Sequence, residues 1–465
     1  MQADGRVLST LEGDGSRRWL YPRLSRGTFW RRRRLVAYSL IAVYTLLPFI
    51  SIGGRPAMQL DLSNGRFSFF GLVFLPNELK LLAIFGIIVV LSIFFATAIF
   101  GRVWCGWGCP QTIYLEYVFR PIERLFTGVQ GKGGQPRRAV AGWRRPAMYA
   151  VYLLICWHLA NTFLAYFVGA ETLHAWIWSA PPWQHPGAFA LVLFVTGLMM
   201  FDFCYWREQL CIIGCPYGRF QSVMLDRSSL VVGYDQRRGE PRGRGRQREA
   251  KGLGDCIDCG MCVAVCPTGI DIRDGLQMEC VNCTQCIDAC DDVMDRVKQP
   301  RGLIRYSSQD GLDGRSTALI RPRVLVYAGV IAAAAALLAV MLVGRSPFHV
   351  TLMRGMGPPF SVEASGGVEN LVRIKIVNRT DAEQAYRVAP IQSEGVRLVG
   401  DGAFVLPPQA SVTETLHLVA SAELFAQSHG LIETTLQIAD GAGHTQKKTY
   451  RLFGPSTAPT AQESP

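Results

Sequence analysis

An α-helical membrane bundle, a small cysteine-rich module and a C-terminal all-β sandwich make up the architecture that the sequence predicts. Three observations carry it. Apolar stretches of the length a bilayer requires alternate with Arg-rich polar blocks. Eight cysteines fall into two regular runs between Cys256 and Cys290. Beyond Phe348 the apolar residues settle into alternation with period two. A chain of 465 residues has room for roughly two to four domains.

Residues 1–34 are polar and basic and end in four consecutive arginines. The apolar stretches 35–52, 79–100, 147–168, 187–203 and 324–343 then give about five spans. Residues 35–232 thus form a four-span region, and 324–343 a fifth helix. The apolar patch 67–75 is too short to cross and is interrupted by Pro76, so it is expected to be interfacial or re-entrant. No secretory signal peptide precedes the first span, which is expected to remain as an anchor.

Arginines flank the spans unevenly. Arg137, Arg138, Arg144 and Arg145 precede the third, residues 206–323 are Arg-rich, and residues 169–186 contain neither Lys nor Arg. The positive-inside rule therefore places the N-terminus, the 101–146 loop and the cysteine module in the cytoplasm. Everything after residue 344 then lies on the periplasmic side of a bacterial inner membrane, with membrane lipid as the first partner. This placement also accounts for the net charge of +12. No recognition motif for nucleic acid accompanies it, so nucleic acid is not an expected partner.

Residues 233–254 are rich in Gly and Arg and read as an extended linker. The cysteine module follows at 255–299. Its runs are Cys256-x2-Cys259-x2-Cys262-x3-Cys266-Pro and Cys280-x2-Cys283-x2-Cys286-x3-Cys290. This is the spacing of a bacterial ferredoxin-like domain holding two [4Fe–4S] clusters. Short gaps wrap three sulfurs around one cubane, and the fourth sulfur of each run crosses to the other. Cluster one takes Cys256, Cys259, Cys262 and Cys290; cluster two takes Cys280, Cys283, Cys286 and Cys266. Structural zinc prefers two short hooks well separated in sequence, and no His accompanies these cysteines. Two such clusters side by side mean electron transfer. A cytoplasmic linker at 300–323 leads to the last span.

Residues 344–455 alternate apolar and polar side chains, with apolar runs at 371–377, 385–388, 396–399, 403–406, 412–419 and 432–438. Turn signals every eight to twelve residues make this a β-sandwich. It contains no catalytic constellation and reads as an interaction module, followed by a disordered tail at 456–465. His349, Met353 and Met356 offer soft ligands near its start, although an ordinary loop is the favoured reading over copper contact.

The motif Cys-x-x-Gly-Cys-Pro occurs twice, at Cys105–Pro110 and Cys211–Pro216, both at the cytoplasmic membrane surface. The repetition points to a duplicated helix pair. Gly permits close backbone approach, and Pro pushes the preceding Cys towards an extended conformation. The four thiols suit either a redox disulfide or a soft metal such as Cu(I), against the plainer reading of inert buried thiols. Cys156 and Cys204 stand alone in apolar spans and read as packing. His158, His174 and His185 form no facing pairs of the kind that ligate haem.

Cys105-Gly-Trp-Gly-Cys109-Pro-Gln-Thr, Cys211-x3-Cys215-Pro-Tyr-Gly-Arg-Phe-Gln, Arg238-Gly-Glu-Pro-Arg242-Gly and the eight ferredoxin cysteines together resemble the CcoG family, also called FixG or RdxA. These are accessory proteins of cbb3-type cytochrome c oxidase. The five-span layout and an immunoglobulin-like C-terminal domain fit the resemblance, which covers nearly the whole chain. Asp291 departs from it, standing where many ferredoxin runs have Pro. The resemblance implies a cupric reductase in which Cys105, Cys109, Cys211 and Cys215 handle copper as substrate. It further implies copper chaperones or an exporter and oxidase assembly factors as partners, and leaves the electron donor open. Two other readings remain: a quinol-oxidising membrane ferredoxin subunit feeding a periplasmic reductase, and a non-enzymatic assembly scaffold or redox sensor.

Overall fold

The computed structural model describes residues 8–52, 55–62, 65–70, 72–74, 79–128, 142–179, 181–244, 252–318, 320–363, 366–380, 382–391 and 395–456. Arg137, Arg138, Pro76, part of the Gly/Arg-rich stretch (245–251) and the tail from 457 lie outside the described residues. The chain divides into two compact units, Met1–Ala339 and Val340–Pro465.

In the first unit, α1 (Thr28–Leu46) begins earlier than the expected span and takes in the four arginines. Pro48 then opens a single 3-10 turn, and the chain enters strands instead of continuing to residue 52. Arg33 is buried here, donating Nε to the Gly106 carbonyl (2.9 Å) and Nη1 to the Cys283 carbonyl (2.7 Å). The polar first turns of α1 thus belong to the cysteine module, and only the remainder is apolar. That remainder runs beside the helix Arg144–Val168, where the Tyr44 hydroxyl donates to the Leu159 carbonyl at 3.3 Å.

Strands β1 (Ser51–Ile52) and β2 (Arg55–Pro56) make a short hairpin. Strands β3 (Met58–Asp61), β4 (Arg66–Phe69) and β5 (Leu72–Phe74) form an antiparallel sheet. The described part of the 67–75 patch is therefore strand, not a re-entrant segment. Its aromatic and β-branched residues favour a pleated surface, and it is too short for a helix.

Among the described residues four helices, not the five spans expected, are long and apolar enough to cross a bilayer: Lys80–Phe100, Arg144–Val168, Pro186–Trp206 and Pro322–Val343. They comprise α2 (Leu79–Phe100), α6 (Arg144–Val168), α8 (Pro186–Phe201) and α14 (Pro322–Val343). After α2 come α3 (Val103–Trp107), α4 (Pro110–Tyr114), a π turn at Leu115–Phe119 and α5 (Arg120–Thr127). Between α6 and α8 lies α7 (Ala170–Ser179). Two further π turns, Asp202–Trp206 and Leu210–Gly214, follow α8 and lead into α9 (Pro216–Met224). Phe119 anchors the bundle core, stacked on Phe203 at 4.1 Å and edge-on to Tyr152 at 4.7 Å. Cys156 is buried in that core and Cys204 packs against it, as their lone placement in apolar spans predicts.

The expected linker at 233–254 is not extended throughout. Gly233 and Tyr234 belong to β6 (Val231–Tyr234), which pairs antiparallel with β7 (Ile304–Ser307) from the second expected linker. Local composition does not reveal that pairing, because the two strands are separated by the whole cysteine module. Around it lie α10 (Gln236–Gly239), α11 (Met261–Ala264), α12 (Gln285–Arg296) and α13 (Gln309–Leu312).

The second unit is an antiparallel sandwich. One sheet has the order β12-β14-β10-β8 with β9 also on β10, and the other β13-β11-β15-β16. The strands are β8 (Phe348–Arg354), β9 (Ser361–Val362), β10 (Gly367–Asn378), β11 (Gln384–Ile391), β12 (Arg397–Val399), β13 (Ala403–Leu406), β14 (Ser411–Ser421), β15 (Leu431–Asp440) and β16 (Thr445–Phe453). A short α15 (Ala422–Gln427) links β14 to β15. Val372, Ile374 and Ile376 from β10 meet Leu436 and Ile438 from β15 in the core. His349 and Met353 lie in β8, not in a loop. At about 3.3 Å per residue the strand holds them roughly 13 Å apart, too far to share one ion.

Candidate electron-transfer site

The cysteine module builds two cavities, and each is lined by one of the ligand sets that the spacing predicts. Cys266, Cys280, Cys283 and Cys286 line the first, of about 340 Å³. Cys256, Cys259, Cys262 and Cys290 line the second, of about 350 Å³. Cys266 and Cys290 do cross between the runs, and Cys262 touches both spaces. Among the described residues no group of three acidic, His or Cys side chains closes on a point that one metal ion would fill. Tetrahedral zinc, with Zn–S bonds of about 2.3 Å, needs that convergence. Four thiols arranged around a space instead fit a cubane.

The loops that place these sulfurs share a backbone device. Asp258 and Gly260, which flank Cys259, both have positive φ, as do Asn282 and Thr284 around Cys283. Each left-handed residue turns the chain sharply so that the sulfurs point inward. Burial pushes the Cys262 thiol up to about 12, Cys290 to about 12 and Cys280 to about 11. Such sulfurs are uncomfortable as free thiolates, and bound iron supplies the positive charge that stabilises them. Apolar Val232, Ile270 and Ile272 close the cluster-two side, whereas Cys259 is exposed on the cluster-one side.

The two membrane motifs pack against the loop that carries Cys280 and Cys283. Cys105 forms one buried cluster with Val281 and Cys283, and Cys211 and Tyr217 pack on it. Gly106 is what allows this approach: a Cβ there would lie 2.6 Å from the Val281 and Asn282 carbonyl oxygens. Arg33 ties the Gly106 and Cys283 carbonyls together, and the Trp107 indole donates to the Tyr306 hydroxyl at 2.9 Å. Arg102 donates to the Met278 carbonyl from the other side. The Cys105 thiol donates to Gln221 Oε1 at 3.0 Å, and burial pushes it up to about 11.

Cys109 and Cys215 play matching parts. Each is extended (φ −67°, ψ 125° and φ −82°, ψ 110°) and caps a helix that begins with Pro, α4 and α9 respectively. Burial raises the Cys109 thiol, while the Thr112 and Gln111 amides pull it the other way. Burial also raises Cys211, which sits inside the π turn Leu210–Gly214. Among the described residues these four cysteines form no disulfide.

A buried ionic network fastens this region. Arg120 Nη2 reaches Glu208 Oε2 at 3.2 Å and the Pro267 carbonyl, next to Cys266, at 3.2 Å. Arg207 clasps Glu123 with two contacts of 3.0 Å. Sequence reading finds neither this network nor the role of Arg33, because the arginines resemble ordinary positive-inside charge. Asp202 leaves a clearer trace, as an acid at the end of an apolar span.

Comparison with known proteins agrees with the geometry. The 4Fe-4S dicluster domain family matches residues 206–309. A 4Fe-4S binding domain family matches residues 82–128, and the IG-like fold at the C-terminal of FixG matches residues 338–455. Nitrogen fixation protein FixG of Rhizobium meliloti is 33% identical over 412 residues, 78% of this chain and 77% of its own length. Protein RdxA of Cereibacter sphaeroides is 32% identical over 423 residues, 87% of this chain and 89% of its own. A FixG-related protein from Vibrio parahaemolyticus, known as a crystal structure, aligns with 24% of this chain and 98% of that one, at 17% identity and a TM-score of 0.22.

Proposed function

The chain belongs to the FixG/RdxA family of membrane-associated iron–sulfur electron-transfer proteins, and from that premise we propose that it reduces Cu(II) to Cu(I) for delivery to a cbb3-type cytochrome c oxidase. The observation that carries this reading is the packing of Cys105 and Cys211 on Cys283. It sets thiols suited to a soft cation directly against a cluster ligand. Cys256, Cys259, Cys262 and Cys290, and Cys280, Cys283, Cys286 and Cys266, would hold two clusters that would supply single electrons when bound.

The chain's own residues do the rest. Cys109 and Cys215 present sulfur to copper from the N-cap positions of α4 and α9. Arg33 and Gly106 hold the copper-facing thiols against the cluster-two loop. Val232, Ile270 and Ile272 keep water from the cluster-two cavity. A thiolate pair binds Cu(I) better than the harder Cu(II), and so favours the reduced product. Arginines head α1, α6 and α14, which supports a cytoplasmic site and a periplasmic sandwich by the positive-inside rule. Copper chaperones or an exporter would then collect the product inside the cell.

The test uses Cys109→Ser and Cys215→Ser in full-length protein purified without oxygen. Cluster absorbance is expected to persist while Cu(II) reduction by the dithionite-reduced protein falls about a hundredfold. Unchanged reduction would remove copper from these thiols.

A further inference from the structure

A cavity beside the membrane thiols has no part in handling copper. It encloses about 1100 Å³ of empty space, its open mouth included, between α1, α4, α6 and α8. Pro110 and Leu210, the neighbours of Cys109 and Cys211, form its inner wall. Leu198 and Phe201 also line it and are about half exposed on α8, so the mouth opens sideways where lipid would lie. Its floor is polar. Gln111 Nε2 donates to Asp202 Oδ1 at 3.1 Å and to the Arg207 carbonyl at 3.0 Å. Tyr114 lines the same space with its ring. The floor is also where the helix is distorted, at the π turns Asp202–Trp206 and Leu210–Gly214. Such turns concentrate at functional sites.

We propose that this cavity is a quinol site, taking a lipid-soluble benzoquinol or naphthoquinol as the electron donor of the protein. The shape matches the class: an aromatic and aliphatic slot open to lipid for a ring and its tail, with hydrogen-bonding groups at the inner end for the ring oxygens. A phospholipid chain would use the slot but not the floor. The electron count also matches. A quinol becomes a quinone by losing two electrons and two protons, and the eight cluster cysteines hold two one-electron acceptors. One electron goes to each oxidised cluster. The Asp202 carboxylate takes the first proton from the ring hydroxyl, passes it to solvent at the cluster-facing surface and then takes the second. The path inward runs from Cys211 to Cys105 and so to Cys283.

The proposal rests on the electron-transfer reading and is independent of copper. Its test measures binding and reduction separately in full-length holoprotein in nanodiscs. Decylubiquinone and menadione are titrated against the tryptophan fluorescence of the protein, in which Trp206 lines the cavity. At least one is expected to bind saturably, and Leu198→Trp, which fills the exposed mouth, to weaken binding about tenfold. The corresponding quinol is expected to bleach the oxidised clusters with two electrons per molecule. Asp202→Asn is expected to slow that bleaching at saturating quinol about a hundredfold, with dithionite reduction of the clusters unchanged. Failure of both probes to bind, binding unaffected by Leu198→Trp, or full-rate bleaching in Asp202→Asn would overturn the assignment. Dithionite-reduced protein that still reduces Cu(II) in any of those cases leaves the copper reading standing.

Discussion

Gly260 and Thr284 occupy the same position in the two cluster loops, one residue after the second cysteine, with φ of +67° and +62°. Glycine adopts that conformation freely, whereas a β-branched residue does so under strain. At Thr284 the hydroxyl bonds the Cys283 carbonyl at 2.7 Å and offsets part of the cost. Nothing lies within 4 Å of where a Cβ would sit on Gly260, so backbone conformation alone decides there. Gly260→Ala should therefore cost about 1–2 kcal/mol, read as a lower thermal midpoint of the holoprotein. No loss would mean that the loop relaxes. Arg33 is the second informative residue, with its guanidinium buried between the Gly106 and Cys283 carbonyls. Arg33→Met leaves two buried acceptors without donors, at about 2–4 kcal/mol. It also removes a positive charge beside cluster two, which should become harder to reduce. Redox titration followed by electron paramagnetic resonance would show one of the two cluster potentials moving negative, and two unmoved potentials would contradict this electrostatic role.

At the scale of elements, the parts legible in the sequence are those fixed by local pattern. Cysteine spacing assigned all eight sulfurs to the cavities they line, and alternation located most strands of the sandwich. What local pattern misses is pairing across long separations. Strand β6 finds β7 only on the far side of the cysteine module, and so Gly233 and Tyr234 resemble linker. The start of α1 is another instance. Gly27 offers no side-chain cap, and the capping acid comes from α12: Asp288 accepts from the Phe29 amide at 3.0 Å and the Trp30 amide at 2.7 Å. One carboxylate therefore stabilises a helix N-terminus and docks it on the cluster module. Asp288→Ala should cost about 1–2 kcal/mol and speed hydrogen exchange at Phe29 and Trp30 in particular. Uniform exchange across the module would argue against a capping role.

Over the whole molecule, the two units are built on cores of different kinds. The sandwich buries aliphatic side chains from both sheets and contains no cysteine. The core of the cysteine module is smaller, and Cys256, Cys262, Cys280 and Cys290 lie inside it. Packing of that sort leaves much of its stability to the metal, as small metal-dependent domains do. Iron removal by a chelator under mild oxidation should therefore act on one unit only. The unfolding transition of the first unit is expected to fall by roughly 10 °C or more, while that of the sandwich stays where it was. The same treatment should reach the membrane motifs through Gly106 and Arg33, because the loop they grip contains Cys283. Cys105 is buried in the intact protein, so its labelling by a thiol reagent should accelerate once iron is gone. Scanning calorimetry paired with site-resolved alkylation checks both halves. If the two transitions moved together, or Cys105 stayed protected, the membrane thiols would owe their placement to the helix bundle and not to the clusters.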